Sequence, residues 1–81
     1  MSRKEKLLKR FFSKPKDLTW DEYVKVFEIY GFNLSNGNGS KRRFYNNDKL
    51  VFTIHEPHPD NIMKHYTIVQ AIDFFNENDI T

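Results

Sequence analysis

Apolar and polar positions change period twice along the chain. In the first dozen residues Leu7, Leu8, Phe11 and Phe12 recur at i, i+1, i+4 and i+5. That stripe predicts a helix over Arg3–Phe12. Ser13-Lys14-Pro15-Lys16 ends it, because the residue before a proline is pushed out of the α region. Trp20, Tyr23, Val24, Phe27 and Tyr30 fall on one face of a second helix, about Trp20 to Tyr30. Thr19-Trp20-Asp21-Glu22 is a capping box at its start, with Leu18 and Tyr23 placed to close a hydrophobic staple. Gly31 is a C′ glycine, and Phe32 is the apolar C″ residue after it. From Phe32 the period shortens to two. Three strands are predicted, Phe32–Ser35, Lys41–Asn46 and Leu50–His55. The turns between them are Asn36-Gly37-Asn38-Gly39 and Asn46-Asn47-Asp48-Lys49, residues that tolerate tight-turn conformations. Residues 60–66 hold no clear period and read as a short helical turn. Thr67-Ile68-Val69-Gln70 then repeats the capping-box pattern. Ile68, Ala71, Ile72 and Phe75 make the stripe of a last helix, about Ile68 to Glu77.

Alternation sorts the strand side chains into two faces. Phe44 points one way in the second strand, and Lys41, Arg43 and Tyr45 the other. In the third, Leu50, Phe52 and Ile54 oppose Val51, Thr53 and His55. An apolar sheet face needs a cover, and the helices supply it. The expected fold is α+β, in the order α-α-β-β-β-α, with a three-stranded antiparallel sheet and helices packed on one face. Its α-β-β-β-α core has the topology of double-stranded-RNA-binding domains, which does not fix function. The other face carries Lys41, Arg43, Tyr45 and His55, either as a solvated surface or as a contact for a polyanion.

Length bounds the chain to one domain over residues 1–81, divided into a basic N-terminal helix (1–13) and a core (19–78). Eight Phe, four Tyr and one Trp let so short a chain bury useful area. Cysteine is absent, so disulfides and thiolate metal sites are excluded, which is compatible with a reducing cytosol. No signal peptide is recognised after Met1-Ser2-Arg3-Lys4, and no apolar run reaches membrane-spanning length. A cytoplasmic protein without membrane contact is therefore expected. The net charge of +2 says little, but its distribution says more. Residues 1–16 hold seven Lys or Arg against the single acid Glu5, and residues 68–81 hold Asp73, Glu77 and Asp79 with no cation. Such asymmetry fits an anionic partner or a solvated helix face.

Several stretches, taken in order, resemble HicA, the small toxin of bacterial HicA–HicB toxin–antitoxin pairs. They are Lys14-Pro-Lys-Asp-Leu-Thr-Trp-Asp-Glu22, Tyr30-Gly-Phe32, Gly39-Ser-Lys-Arg-Arg-Phe44, Ile54-His-Glu-Pro-His-Pro59 and Tyr66-Thr67. The likeness runs from about residue 12 to residue 77. It implies a double-stranded-RNA-binding-like fold, mRNA as substrate, endoribonuclease activity and a HicB-like antitoxin that occludes the site. It departs at one place. The family's usual pattern after the first hairpin turn is Gly-Ser/Gly-His, with that histidine catalytic, and here the position is Lys41. The chain is similar to a divergent branch with a basic residue there and a later His-x-Pro-His-like element.

Metal-independent RNA cleavage needs a base for the 2′-hydroxyl, an acid for the leaving 5′-oxygen and a cation for the charge on phosphorus. Histidine suits the first two roles. Lysine holds its proton far above neutrality, so it is a poor base but a good point charge. The candidate catalytic residues are therefore Lys41, His55 and His58, with no cofactor and no metal. His55 and His58 can replace the missing histidine as acid and base. Alternatively, Pro57 and Pro59 rigidify the loop and His58 caps it. A metal site of His55, Glu56 and His58 is disfavoured because the prolines break the helix that paired ligands usually need. Candidate RNA-binding residues are Ser40, Lys41, Arg42, Arg43 and Tyr45, with Arg42 on the rim and Arg43 able to fork a phosphate. His65 is read as structural or exposed. No phosphate-binding glycine loop and no nucleophile–histidine arrangement is present.

Overall fold

A computed structural model describes residues 2–58 and 60–80. The elements are α1 (Arg3–Phe12), α2 (Trp20–Ile29), β1 (Asn33–Asn36), β2 (Lys41–Tyr45), β3 (Val51–His55) and α3 (His65–Glu77). The strands form an antiparallel sheet in the order β1-β2-β3, with β2 central. The expected α+β order is therefore present. Strand ends move by a single residue, within the ordinary uncertainty of element boundaries.

α2 forms because its ends are closed. Thr19 Oγ1 accepts from the Glu22 N–H at 3.2 Å, and Glu22 Oε1 accepts from the Thr19 N–H at 3.0 Å, which completes the capping box. At the other end Gly31 sits at φ +87°. The Phe32 N–H reaches Phe27 O at 2.9 Å and the Gly31 N–H reaches Glu28 O at 3.0 Å, a Schellman closure with the Phe27 and Phe32 rings 5.5 Å apart. The helix buries Trp20, Tyr23, Val26 and Phe27. Val26, outside the predicted stripe, is buried, while Val24 and Tyr30, inside it, are only half-buried. Phe27 stacks on Phe44 of β2 with centroids 4.0 Å apart. One cluster thus gathers Phe11 of α1, the α2 stripe, Phe44 and Ile54 of the sheet, and Ile68, Ala71 and Phe75 of α3. Removing a ring of that kind costs about 3–5 kcal/mol.

Two expectations fail ahead of α3. Thr67 does not cap it: the helix begins at His65, with Lys64 as N-cap and no side-chain cap bond. The Thr67 hydroxyl donates instead to Lys64 O, inside the first turn. Nor do residues 60–66 make a helical turn of their own: residues 60–64 are not helical, and His65 and Tyr66 already belong to α3. Ile62 bridges Thr19, the Trp20 N–H donates to Asn61 O at 2.7 Å, and the Met63 N–H donates to Leu18 O at 2.7 Å. This pairing holds the chain extended up to Lys64 and frees His65 to start the helix. Lys14 also departs from the pre-proline rule, sitting at φ +56° instead of extended. Pro59 lies outside the described residues, so its role in stiffening the loop is not described.

Candidate nucleic-acid interface

The β2–β3 register pairs Lys41 with His55, Arg43 with Thr53 and Tyr45 with Val51, while Phe44 pairs with Phe52 and Arg42 with Ile54. Phe44 and Ile54 are buried, and Lys41, Arg43, Tyr45 and His55 are exposed. The helices cover one face and leave the other open. Directly opposite residues in an antiparallel pair have Cβ atoms about 4.5–5.5 Å apart. Lys41 and His55 therefore stand side by side at one end of the open face. Arg43 and then Tyr45 follow along β2 at about 7 Å steps.

The first turn holds this end in place. The Gly37 N–H donates to Lys41 O at 2.8 Å, and a Cβ on Gly37 would come within 3.2 Å of that oxygen. Gly39 takes the positive φ of +60°. Beyond it the Glu56 N–H donates to Ser40 O at 2.8 Å, and Ser40 Oγ lies 3.4 Å from His55 Nδ1. Arg42 points to the other side of the sheet. Its Nε donates to Glu56 Oε1 at 3.1 Å and its Nη1 to Gly39 O and Lys41 O at 2.8 and 2.9 Å. It is a structural clasp on the turn, because strand alternation takes it off the face that Lys41 and Arg43 share. That is the rim position expected of it, beside Ser40 and His58.

A family model described as the HicA toxin of bacterial toxin–antitoxin systems matches residues 20–73. The chain belongs to the HicA toxin family. No curated protein and no solved structure matches it significantly. The HicA match begins at the first residue of α2 and ends inside α3, so it takes in the whole sheet with Ser40, Lys41, Arg43, Tyr45, His55 and the loop residue His58. In this HicA chain the position after Gly39-Ser40 is an exposed lysine opposite an exposed histidine.

His58 lies beyond the end of the open face, exposed on the β3–α3 loop. It lines a shallow cleft of about 310 Å³ beside Ser40 and Glu56, and together with His55 and His65 it lines a larger one of about 600 Å³. Lys16, Lys64 and Tyr66 line the larger cleft too. No pattern along the chain groups Lys16, Lys64, His65 and Tyr66 in this way. The grouping depends on the pairing of Leu18–Trp20 with Asn61–Met63, which no periodic pattern announces. Among the described residues no three His, Asp or Glu side chains converge as metal ligands would, and no helix is long and apolar enough to cross a membrane.

Proposed function

We propose that this chain is an RNA-cleaving toxin, acting on mRNA in the cytoplasm, and that a HicB-like antitoxin neutralises it by covering the open sheet face. The observation that carries the reading is the Lys41–His55 pair on that face, with Arg43 next along β2 and His58 on the adjoining loop. Arg43 and Tyr45 hold the RNA, Arg43 by forking a phosphate and Tyr45 by packing on sugar or base. Ser40 adds a hydroxyl beside His55.

In the reaction, one histidine of the His55/His58 pair takes the proton of a 2′-hydroxyl. The 2′-oxygen attacks the adjacent phosphorus, the bond to the 5′-oxygen breaks, and the other histidine protonates that oxygen. The products are a 2′,3′-cyclic phosphate and a 5′-hydroxyl. The Lys41 ammonium offsets the charge that grows on the phosphoryl oxygens. The step needs neither metal nor cofactor.

Incubation of the purified protein with RNA in EDTA tests this. Cyclic-phosphate and 5′-hydroxyl ends are expected, with a loss of roughly 10²-fold or more on His55→Ala or His58→Ala. Metal-dependent cleavage, or cleavage unaffected by either change, would overturn it. The lysine at the family's usual histidine position favours a second reading, an RNA-binding module without catalysis. In that case RNA is bound and left intact at every pH.

A further inference from the structure

The larger cleft is not part of the sheet face. Its floor comes from the β3–α3 loop and the start of α3, and Lys16 closes it from the α1–α2 connection. Resting on the RNA-binding reading above, we propose that it receives a single unpaired nucleotide of the RNA strand, with the base stacked on Tyr66 and the flanking phosphate held by Lys16 and Lys64.

Four observations carry this. The first is size: at about 600 Å³ the cleft falls in the range of small-ligand sites, roughly 300–1,000 Å³. The second is Tyr66 itself. Its exposure of 59% is the greatest among the exposed large hydrophobic side chains, although it lines a cleft. Among the described residues its ring, like that of Tyr45 on the open face, packs on no other aromatic ring, whereas Trp20, Tyr23, Tyr30 and all eight Phe take part in ring contacts. An aromatic ring left bare in a cleft with two lysines on its wall is what base stacking uses. The third is charge. Lys16 and Lys64 face two acids on the lining, Glu56 and Asp60, and Glu56 is already taken by Arg42 at 3.1 Å. The fourth is continuity. His55 belongs both to the open face, opposite Lys41, and to the cleft wall. A strand whose phosphates follow Arg43 and Lys41 is led past His55 into the cleft.

The requirement for an unpaired nucleotide follows from the stacking. In a duplex both faces of a base are occupied by its neighbours, so Tyr66 can engage only a base outside the helix. The cleft would thus give the toxin a preference for single-stranded or bulged RNA that the fold alone does not impart.

Fluorescence anisotropy with a labelled single-stranded RNA and with the matching duplex, at one low salt concentration, tests this. Tyr66→Ala is expected to weaken single-strand binding about 5- to 150-fold, the range of one lost stacking contact. Duplex binding should change far less, and Tyr66→Phe should restore the single strand. A 2-aminopurine base in the RNA should be quenched by the wild-type protein and not by Tyr66→Ala. Unchanged single-strand affinity in Tyr66→Ala, or an equal loss for both RNAs, would overturn the cleft assignment. If Lys41→Ala with Arg43→Ala still weakened both RNAs in that event, the interface on the sheet would stand. Wild-type protein that bound neither RNA would overturn both.

Discussion

Arg42 and Arg43 are neighbours of identical type with opposite fates. Strand alternation turns Arg43 to the open face and Arg42 towards Glu56, where only 19% of its side chain remains exposed. Arg42→Ala should remove three hydrogen bonds that tie the Gly39–Lys41 turn to the β3–α3 loop, and should cost about 1–3 kcal/mol of stability. Arg43→Ala should leave the melting temperature near wild type and weaken RNA binding. Chemical denaturation and anisotropy on the two variants check the split. Equal effects on stability would contradict it. Alternation made this division legible from the strand pattern, whereas the ion pair was not, since Glu56 lies in a loop with no period to place it. Turn chemistry was similarly half-legible. Gly39 takes a positive φ in the first turn, but in the second the left-handed residue is Lys49, at φ +65°. The asparagine there works through its side chain: Asn46 Oδ1 accepts from the Asp48 and Leu50 N–H groups, each at 3.0 Å.

At the scale of the element, α1 and α2 are joined through one carboxylate. Arg10 Nε donates to Glu22 Oε2 at 2.9 Å, and its Nη2 reaches Asp17 Oδ1 at 2.9 Å, while Glu22 also serves the capping box. Partial burial by itself would raise the Glu22 carboxyl. The Arg10 hydrogen bond, the Thr19 N–H and the nearby Arg10 charge outweigh it, and the group is held below its ordinary value. A carboxyl that ionises more easily when folded contributes stability above the ordinary glutamate range, near pH 4.3, and loses it as pH falls through the lowered folded value. Glu22→Gln keeps a capping acceptor and removes the charge. It should be less stable at pH 7, and the difference from wild type should shrink by pH 3. Thermal melts across that range check this, and a pH-independent gap would contradict it. The capping box and the glycine closure of α2 were legible because both are short-range signatures. Thr67 carried the same signature and misled, because backbone pairing through Asn61 and Met63 set the start of α3 instead.

At the scale of the whole molecule, the helices gather on one side of the sheet, and one aromatic cluster joins them to it. The opposite side is left with cations and a histidine. The run of seven cations lies in residues 1–16, yet Arg10 is spent on the α1–α2 junction, and only Lys16 reaches the cleft beside the histidines. Net charge cannot show which cations converge, because convergence depends on register and on long-range pairing. The central claim is that the open sheet face, and not the basic first helix, meets RNA. A titration of isotope-labelled protein with RNA, followed by amide chemical shifts at low salt, tests it most directly. The account predicts perturbations concentrated in residues 40–45 and 51–58 and fading as salt is raised. Shifts confined to α1 and the outer side of α2, with the sheet silent, would contradict it.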